Sequence, residues 1–159
     1  MTSSVPHILY TDDHADTREL VSFVLTSANC KVTLADTEDK ALLLARTNQF
    51  DLYLIDNWIA GGSGIGLCKK LKEFDPVTPV LFYSGAAYDS DKQEAFASGA
   101  QGYLTKPVDN DELVEAVFRL ISKAKSAFQG QEYLVASQPR LTADEAGENT
   151  RQNRQAHNG

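Results

Sequence analysis

Four apolar runs in this chain each lead to a side chain that can do chemistry. "HILYT" runs into the neighbouring acids Asp12 and Asp13, "DLYLI" into Asp56, "PVLFY" into Ser84 and "GYLT" into Lys106. Two adjacent carboxylates repel, and a third brought beside them adds to the penalty unless something carries the opposite charge. Oxygen donors without His or Cys among them suit a hard cation that keeps part of its water, magnesium first and manganese as the substitute. With such an ion in place Asp56 becomes a carboxylate able to attack phosphorus. Lys106 can then neutralise one phosphoryl oxygen while the Ser84 hydroxyl donates a hydrogen bond to another.

Residues so distant in sequence meet only if the elements carrying them end at one place. Five short apolar runs alternate with amphipathic stretches, the pattern of a doubly wound α/β fold: a five-stranded parallel sheet, flavodoxin-like (βα)5, in three α/β/α layers. In such a sheet ligands bind outside the carboxyl ends of the strands, where all four polar groups fall. After the first strand, Leu20, Phe23, Val24 and Ala28 recur at helical spacing and predict one apolar stripe. "KVTLA" reads as the second strand, followed by Thr37 as the cap of a helix with Ala41, Leu44 and Ala45 on one side. Asp109 with Glu112 resembles a capping box opening a last helix, whose apolar face is Leu113, Val117, Leu120, Ile121 and Ala124.

The 159 residues suffice for one domain and not for two ordinary ones. We read 1–128 as that domain and 129–159 as a polar tail that cannot bury enough apolar surface to stay ordered, after an extension of the last helix through "EYLVAS". A net charge of -7 argues against direct DNA binding or an anionic lipid surface. No run approaches the roughly 20 apolar residues of a membrane span. Cys30 and Cys68 form no C-x-x-C pair and read as buried free thiols of a cytoplasmic protein. His7 and His14 lack partners at ligand spacing and read as solvated or structural, although His14 is close enough to the acid pair to perturb it. Asp16 is a first-turn acid that complements a helix dipole. "GGSGIG" misses the G-x-G-x-x-G spacing and follows the third strand, so it reads as a flexible loop and not a nucleotide site.

The acid pair "DD", "LID", "YSG" and "LTKP", spread over Pro6 to Ala127, together resemble the receiver domain of bacterial two-component response regulators. That resemblance implies a stand-alone receiver that takes a phosphoryl group from a histidine kinase or a histidine phosphotransfer domain. The phosphoacceptor falls on Asp56. The metal, magnesium or manganese, falls to Asp12, Asp13, Asp56 and the backbone carbonyl of Trp58, with Asp13 favoured over Asp12 as the direct ligand. Ser84 matches the hydroxyl that reorients on phosphorylation, Lys106 the phosphate-binding lysine and Tyr103 the aromatic switch. Lys106-Pro107 matches a bond commonly cis in the family. The resemblance implies a downstream protein target, allows a homodimer, and makes the chain a catalyst only of its own phosphorylation and dephosphorylation.

The loop "NWIAGGSGIG" departs from the family. Gly64 lands on the family's glycine, but Ala60 replaces a proline and Ser63 an acidic residue, which predicts a more mobile loop. Trp58 is bulky beside the acceptor, where it can hinder a partner or slow attacking water; it and Tyr103 also read as packing aromatics. The competing reading is a pseudo-receiver, a binding module never phosphorylated, with the Trp58 loop as its contact surface. An aspartate-based phosphohydrolase fits less well, because "TDDHAD" places Asp13 and Asp16 at the wrong spacing for D-x-D.

Overall fold

The computed structural model describes residues 4–136, with side chains as far as Ala127. The strands are β1 (His7–Thr11), β2 (Lys31–Ala35), β3 (Leu52–Ile55), β4 (Trp58–Ile59), β5 (Gly62–Ser63), β6 (Val80–Ser84) and β7 (Gly102–Thr105). The helices are α1 (Ala15–Ser27), α2 (Glu38–Thr47), α3 (Gly64–Phe74), α4 (Asp89–Ala97) and α5 (Asn110–Ala136). Five strands form one parallel sheet in the order β2-β1-β3-β6-β7, and β4 with β5 makes a separate antiparallel hairpin. The order reverses direction after β1, which opens a crevice at the strand ends beside it.

Strand periodicity divides the core into two layers. Ile8, Tyr10, Leu52, Leu54 and Leu81 face one side and pack with Val21, Val24 and Leu25 of α1 and Leu113, Val117 and Ile121 of α5. Leu9, Tyr53, Ile55, Val80 and Phe82 face the other, against Ala41 and Leu42 of α2, Leu67, Cys68 and Leu71 of α3, and Ala95 of α4. This is the three-layer doubly wound arrangement expected, and its compact unit ends at Lys125. Both cysteines are buried free thiols.

Three local readings need correction. The stripe of α1 is Val21, Val24 and Leu25, whereas Leu20 and Phe23 are exposed and Ala28 is half-buried. "ELVSFVL" offers two helical phases, and the one realised lets Leu25 reach the layer behind Ile8 and Tyr10. On α2 the buried apolar set is Ala41, Leu42 and Ala45, with Leu44 only half-buried, while Thr37 caps the helix as expected by accepting from the Lys40 N–H at 3.1 Å. "GGSGIG" is not one flexible loop. Gly61, at φ 78°, turns the β4–β5 hairpin, and Gly64 and Gly66 already belong to α3. Ser63 caps that helix by accepting from the Gly66 N–H at 3.0 Å, the task for which a hydroxyl serves as well as an acid. The helical extension through "EYLVAS" is present as far as Ala136, and the rest of the tail read over 129–159, from 137 on, lies outside the described residues. Among the described residues no helix is long and apolar enough to cross a membrane.

Candidate functional site

The site is a consequence of register. Tyr10 pairs with Leu54, so the residues that follow, Asp12 and Asp56, leave neighbouring strands side by side, with the Asp56 N–H bonded to the Thr11 carbonyl at 3.0 Å. On the far side Ser84 pairs with Thr105, and the Lys106 N–H donates to the Ser84 carbonyl at 2.8 Å. The Lys106-Pro107 bond is cis. Asp12, Asp56 and Ser84 are buried, an environment that demands partners for each polar atom.

Lys106 supplies one to each acid. Its Nζ donates to Asp12 Oδ2 at 2.8 Å and to Asp56 Oδ2 at 3.3 Å. One ammonium thus serves two carboxylates, and Asp13, at the rim, has none of its share. Asp12 is further held by the Tyr10 hydroxyl at 2.6 Å and the His14 backbone N–H at 2.9 Å. Burial alone would raise its proton affinity, but the Lys106, Tyr10 and His14 hydrogen bonds outweigh burial and keep its pKa below the ordinary carboxylate value. Asp56 goes the other way. Burial raises its pKa, Asp12 adds to the rise, and Lys106, Ser84 and the Trp58 N–H at 3.4 Å compensate only in part. Burial lowers the Lys106 pKa, yet the two carboxylates win and the net shift is upward, so the ammonium stays charged.

Asp12, Asp13, His14 and Asp56 each bring one ligand atom into a group whose members lie within 4.8 Å of one another. Three carboxylate oxygens against one shared ammonium leave the pocket short of positive charge, and an oxygen-rich donor set of this size fits a divalent cation.

Ser84 connects the acids to the neighbouring loop. Its Oγ accepts from the Ala86 N–H at 3.2 Å, and the Ala86 carbonyl accepts from the Tyr103 hydroxyl at 2.5 Å. Tyr103 is half-buried and stacked on Phe82 with ring centroids 5.9 Å apart. Burial raises its hydroxyl pKa, and Ser84 offsets part of that rise. Trp58 sits in β4 and is 66% exposed, so it is not a packing aromatic.

Gly64 explains itself here. A Cβ on it would collide with the Asp56 carbonyl oxygen and lie 2.9 Å from Asn57 Cα and 3.0 Å from Phe82 Cε1. The start of α3 packs against the backbone of Asp56, and the Gly64 N–H donates to the Asn57 carbonyl at 3.0 Å.

The sequence-predicted residues Asp12, Asp13, Asp56 and Lys106 converge, with Ser84 and then Tyr103 adjoining them. One neighbour, Tyr10, escaped sequence reasoning. Tyr10 was legible in principle, because strand period two places it on the face of Asp12. His14 is exposed and lies beside the acid pair, as expected: the turn after β1 brings its Nδ1 to 2.8 Å from Asp13 Oδ1. His7 is structural, with Nε2 2.7 Å from Thr33 Oγ1 and its ring against Phe50.

The doubly wound sheet thus carries an acid pair, a buried acid, a hydroxyl and a lysine at its strand ends, and comparison with known proteins names the class. The family model of the response regulator receiver domain matches residues 8–118, and the chain belongs to that family. It is 27% identical over 122 residues to the cell cycle transcriptional regulator CtrA of Caulobacter vibrioides, covering 77% of this chain and 53% of that protein. It is 35% identical over 120 residues to the phosphate regulon transcriptional regulatory protein PhoB of Escherichia coli, covering 72% and 52%. The chain spans about half the length of these curated relatives. The receiver domain of the Francisella response regulator 1452 matches with a TM-score of 0.71 at 31% identity, covering 74% of this chain and 98% of that one. Receiver domains of two-component systems typically accept a phosphoryl group and bind magnesium.

Proposed function

We propose that Asp56 accepts a phosphoryl group from a phosphohistidine on a histidine kinase or phosphotransfer domain. The observation that carries this reading is the single Lys106 ammonium bonded to both Asp12 and Asp56 at the strand ends. The Asp56 carboxylate needs no general base. Its oxygen attacks phosphorus as the phosphorus–nitrogen bond to the donor imidazole breaks, and the imidazole leaves with the bond's electron pair. Lys106 can follow the charge from Asp56 to a phosphoryl oxygen, and the Ser84 hydroxyl can donate to a second. Asp13, Asp56 and the Trp58 carbonyl are the groups that would hold magnesium or manganese, with Asp12 behind them. The ion, when bound, neutralises the carboxylates and the incoming phosphoryl charge.

The same geometry supports a switch. A Ser84 hydroxyl drawn to a phosphoryl group releases the Ala86 N–H, and Ala86 is what anchors the Tyr103 hydroxyl. The phosphorylated state then favours a second arrangement of β6, β7 and the helices that follow them, read by a downstream protein target. A charge of -7 supports a protein target over DNA, and unpaired buried thiols support a cytoplasmic location. Incubation with acetyl phosphate and magnesium should add one phosphate by intact mass, and Asp56→Asn should remove it. No uptake by the wild type would overturn the proposal.

Exposure of Trp58 favours one rival, a phosphorylation-independent module that docks a partner on the β4–β5 hairpin. Magnesium separates the two: quenching of Trp58 fluorescence by the ion supports the working site, and an unchanged spectrum supports the rival.

A further inference from the structure

The acidic pocket contains a nitrogen donor for which an all-oxygen site has no use. His14 occupies the N-cap of α1, where Ser, Thr, Asp or Asn would close the helix, yet its side chain makes no capping hydrogen bond. Its Nδ1 turns to the acids, 2.8 Å from Asp13 Oδ1 and 3.5 Å from Asp12 Oδ1. Ligand atoms about 2.1 Å from an octahedral ion lie roughly 3 Å apart when adjacent and roughly 4 Å apart when opposite. The 2.8 Å separation from Asp13 Oδ1 is close to the adjacent spacing, and the whole four-residue set, within 4.8 Å, needs only a slight contraction to fit around one ion. The His14 main chain is fixed at the rim by its N–H bond to Asp12 Oδ1, while the imidazole is 71% exposed and free of packing that would hold it away.

We infer that His14 Nδ1 is a ligand of the divalent cation held with Asp13 and Asp56, and that it biases the pocket toward manganese, cobalt, nickel or zinc over magnesium. The inference rests on the cation site proposed above. Magnesium prefers oxygen and dehydrates reluctantly, so an imidazole adds little to its binding, whereas later first-row ions gain from a nitrogen donor.

Two readouts, neither of them phosphorylation, test it. Pulsed electron paramagnetic resonance of the manganese-loaded full chain should show nitrogen coupling from one imidazole, absent in His14→Gln. Calorimetric titration should show nickel affinity falling about tenfold or more in His14→Gln, with magnesium affinity changed by less than about twofold. Bound manganese with no nitrogen coupling, or an equal loss for nickel and magnesium, would overturn the role of His14 and leave the cation site standing. A wild type that binds neither ion would overturn both.

Discussion

Replacing Lys106 by Met keeps the length of the side chain and removes the ammonium bonded to both Asp12 and Asp56. At an effective dielectric near 20, contacts of 2.8 and 3.3 Å are each worth roughly 5 to 6 kcal/mol before desolvation. Withdrawing the ammonium from water offsets several kcal/mol of that sum. Because the carboxylates stay buried at 0% and 5% exposure, the loss should still be about 3 kcal/mol. The raised pKa of Lys106 means its contribution is fully present at neutral pH and disappears only above the ordinary lysine range. The depressed pKa of Asp12 sets the other limit, so the deficit of the variant should shrink only once pH falls below the ordinary carboxylate range. Urea unfolding in EDTA at neutral pH measures the loss, and a parallel series with saturating magnesium should recover a large part of it. A change under about 1 kcal/mol in EDTA would refute the reasoning, since two buried acids would then tolerate each other unaided.

Gly64→Ala should destabilise by about 2 kcal/mol or more in thermal unfolding, because its Cβ meets backbone at Asp56 and Asn57 that cannot swing aside; a melt like the wild type would contradict that contact. Burial alone would raise the pKa of Asp75, but hydrogen bonds from Tyr53 and Thr78 bring it below the usual range. Its contribution is therefore present above about pH 4, and Asp75→Asn should lower stability at neutral pH by an amount that fades in acid; a deficit independent of pH would count against it. Trp58→Ala should shorten the lifetime of the phosphorylated protein, followed by loss of phosphate in intact mass, if the exposed indole shields the acceptor from water; an unchanged lifetime would remove Trp58 from that role.

Most of the fold was legible because its signals are local and repeated. Every strand of the parallel sheet is a short apolar run, and each polar terminus marks where the run leaves the sheet. The convergence of Asp12, Asp56 and Lys106 follows from parallel topology, which places all such termini at one edge. Helix phase was harder. In α1 the sequence offers apolar residues around most of the helix, and only packing behind Ile8 and Tyr10 decides that Leu25 goes in while Phe23 stays out. The glycines after Trp58 suggested mobility, yet Gly62 and Gly64 stand where a side chain would strike Glu38 and the Asp56 backbone, so absence of a Cβ is what lets this segment pack. For His14 the closeness to the acid pair was legible from adjacency in sequence, but the direction of its side chain was not, because the turn after β1 decides which successive side chains meet.

The central claim is that Asp56, and not one of the acids beside it, carries the phosphoryl group. Borohydride reduction of the protein after acetyl phosphate and magnesium converts an aspartyl phosphate to homoserine, and peptide sequencing by mass locates the residue. The account predicts homoserine at position 56 alone. Homoserine at position 12 or 13, or at none in a protein that has taken up phosphate, would contradict it.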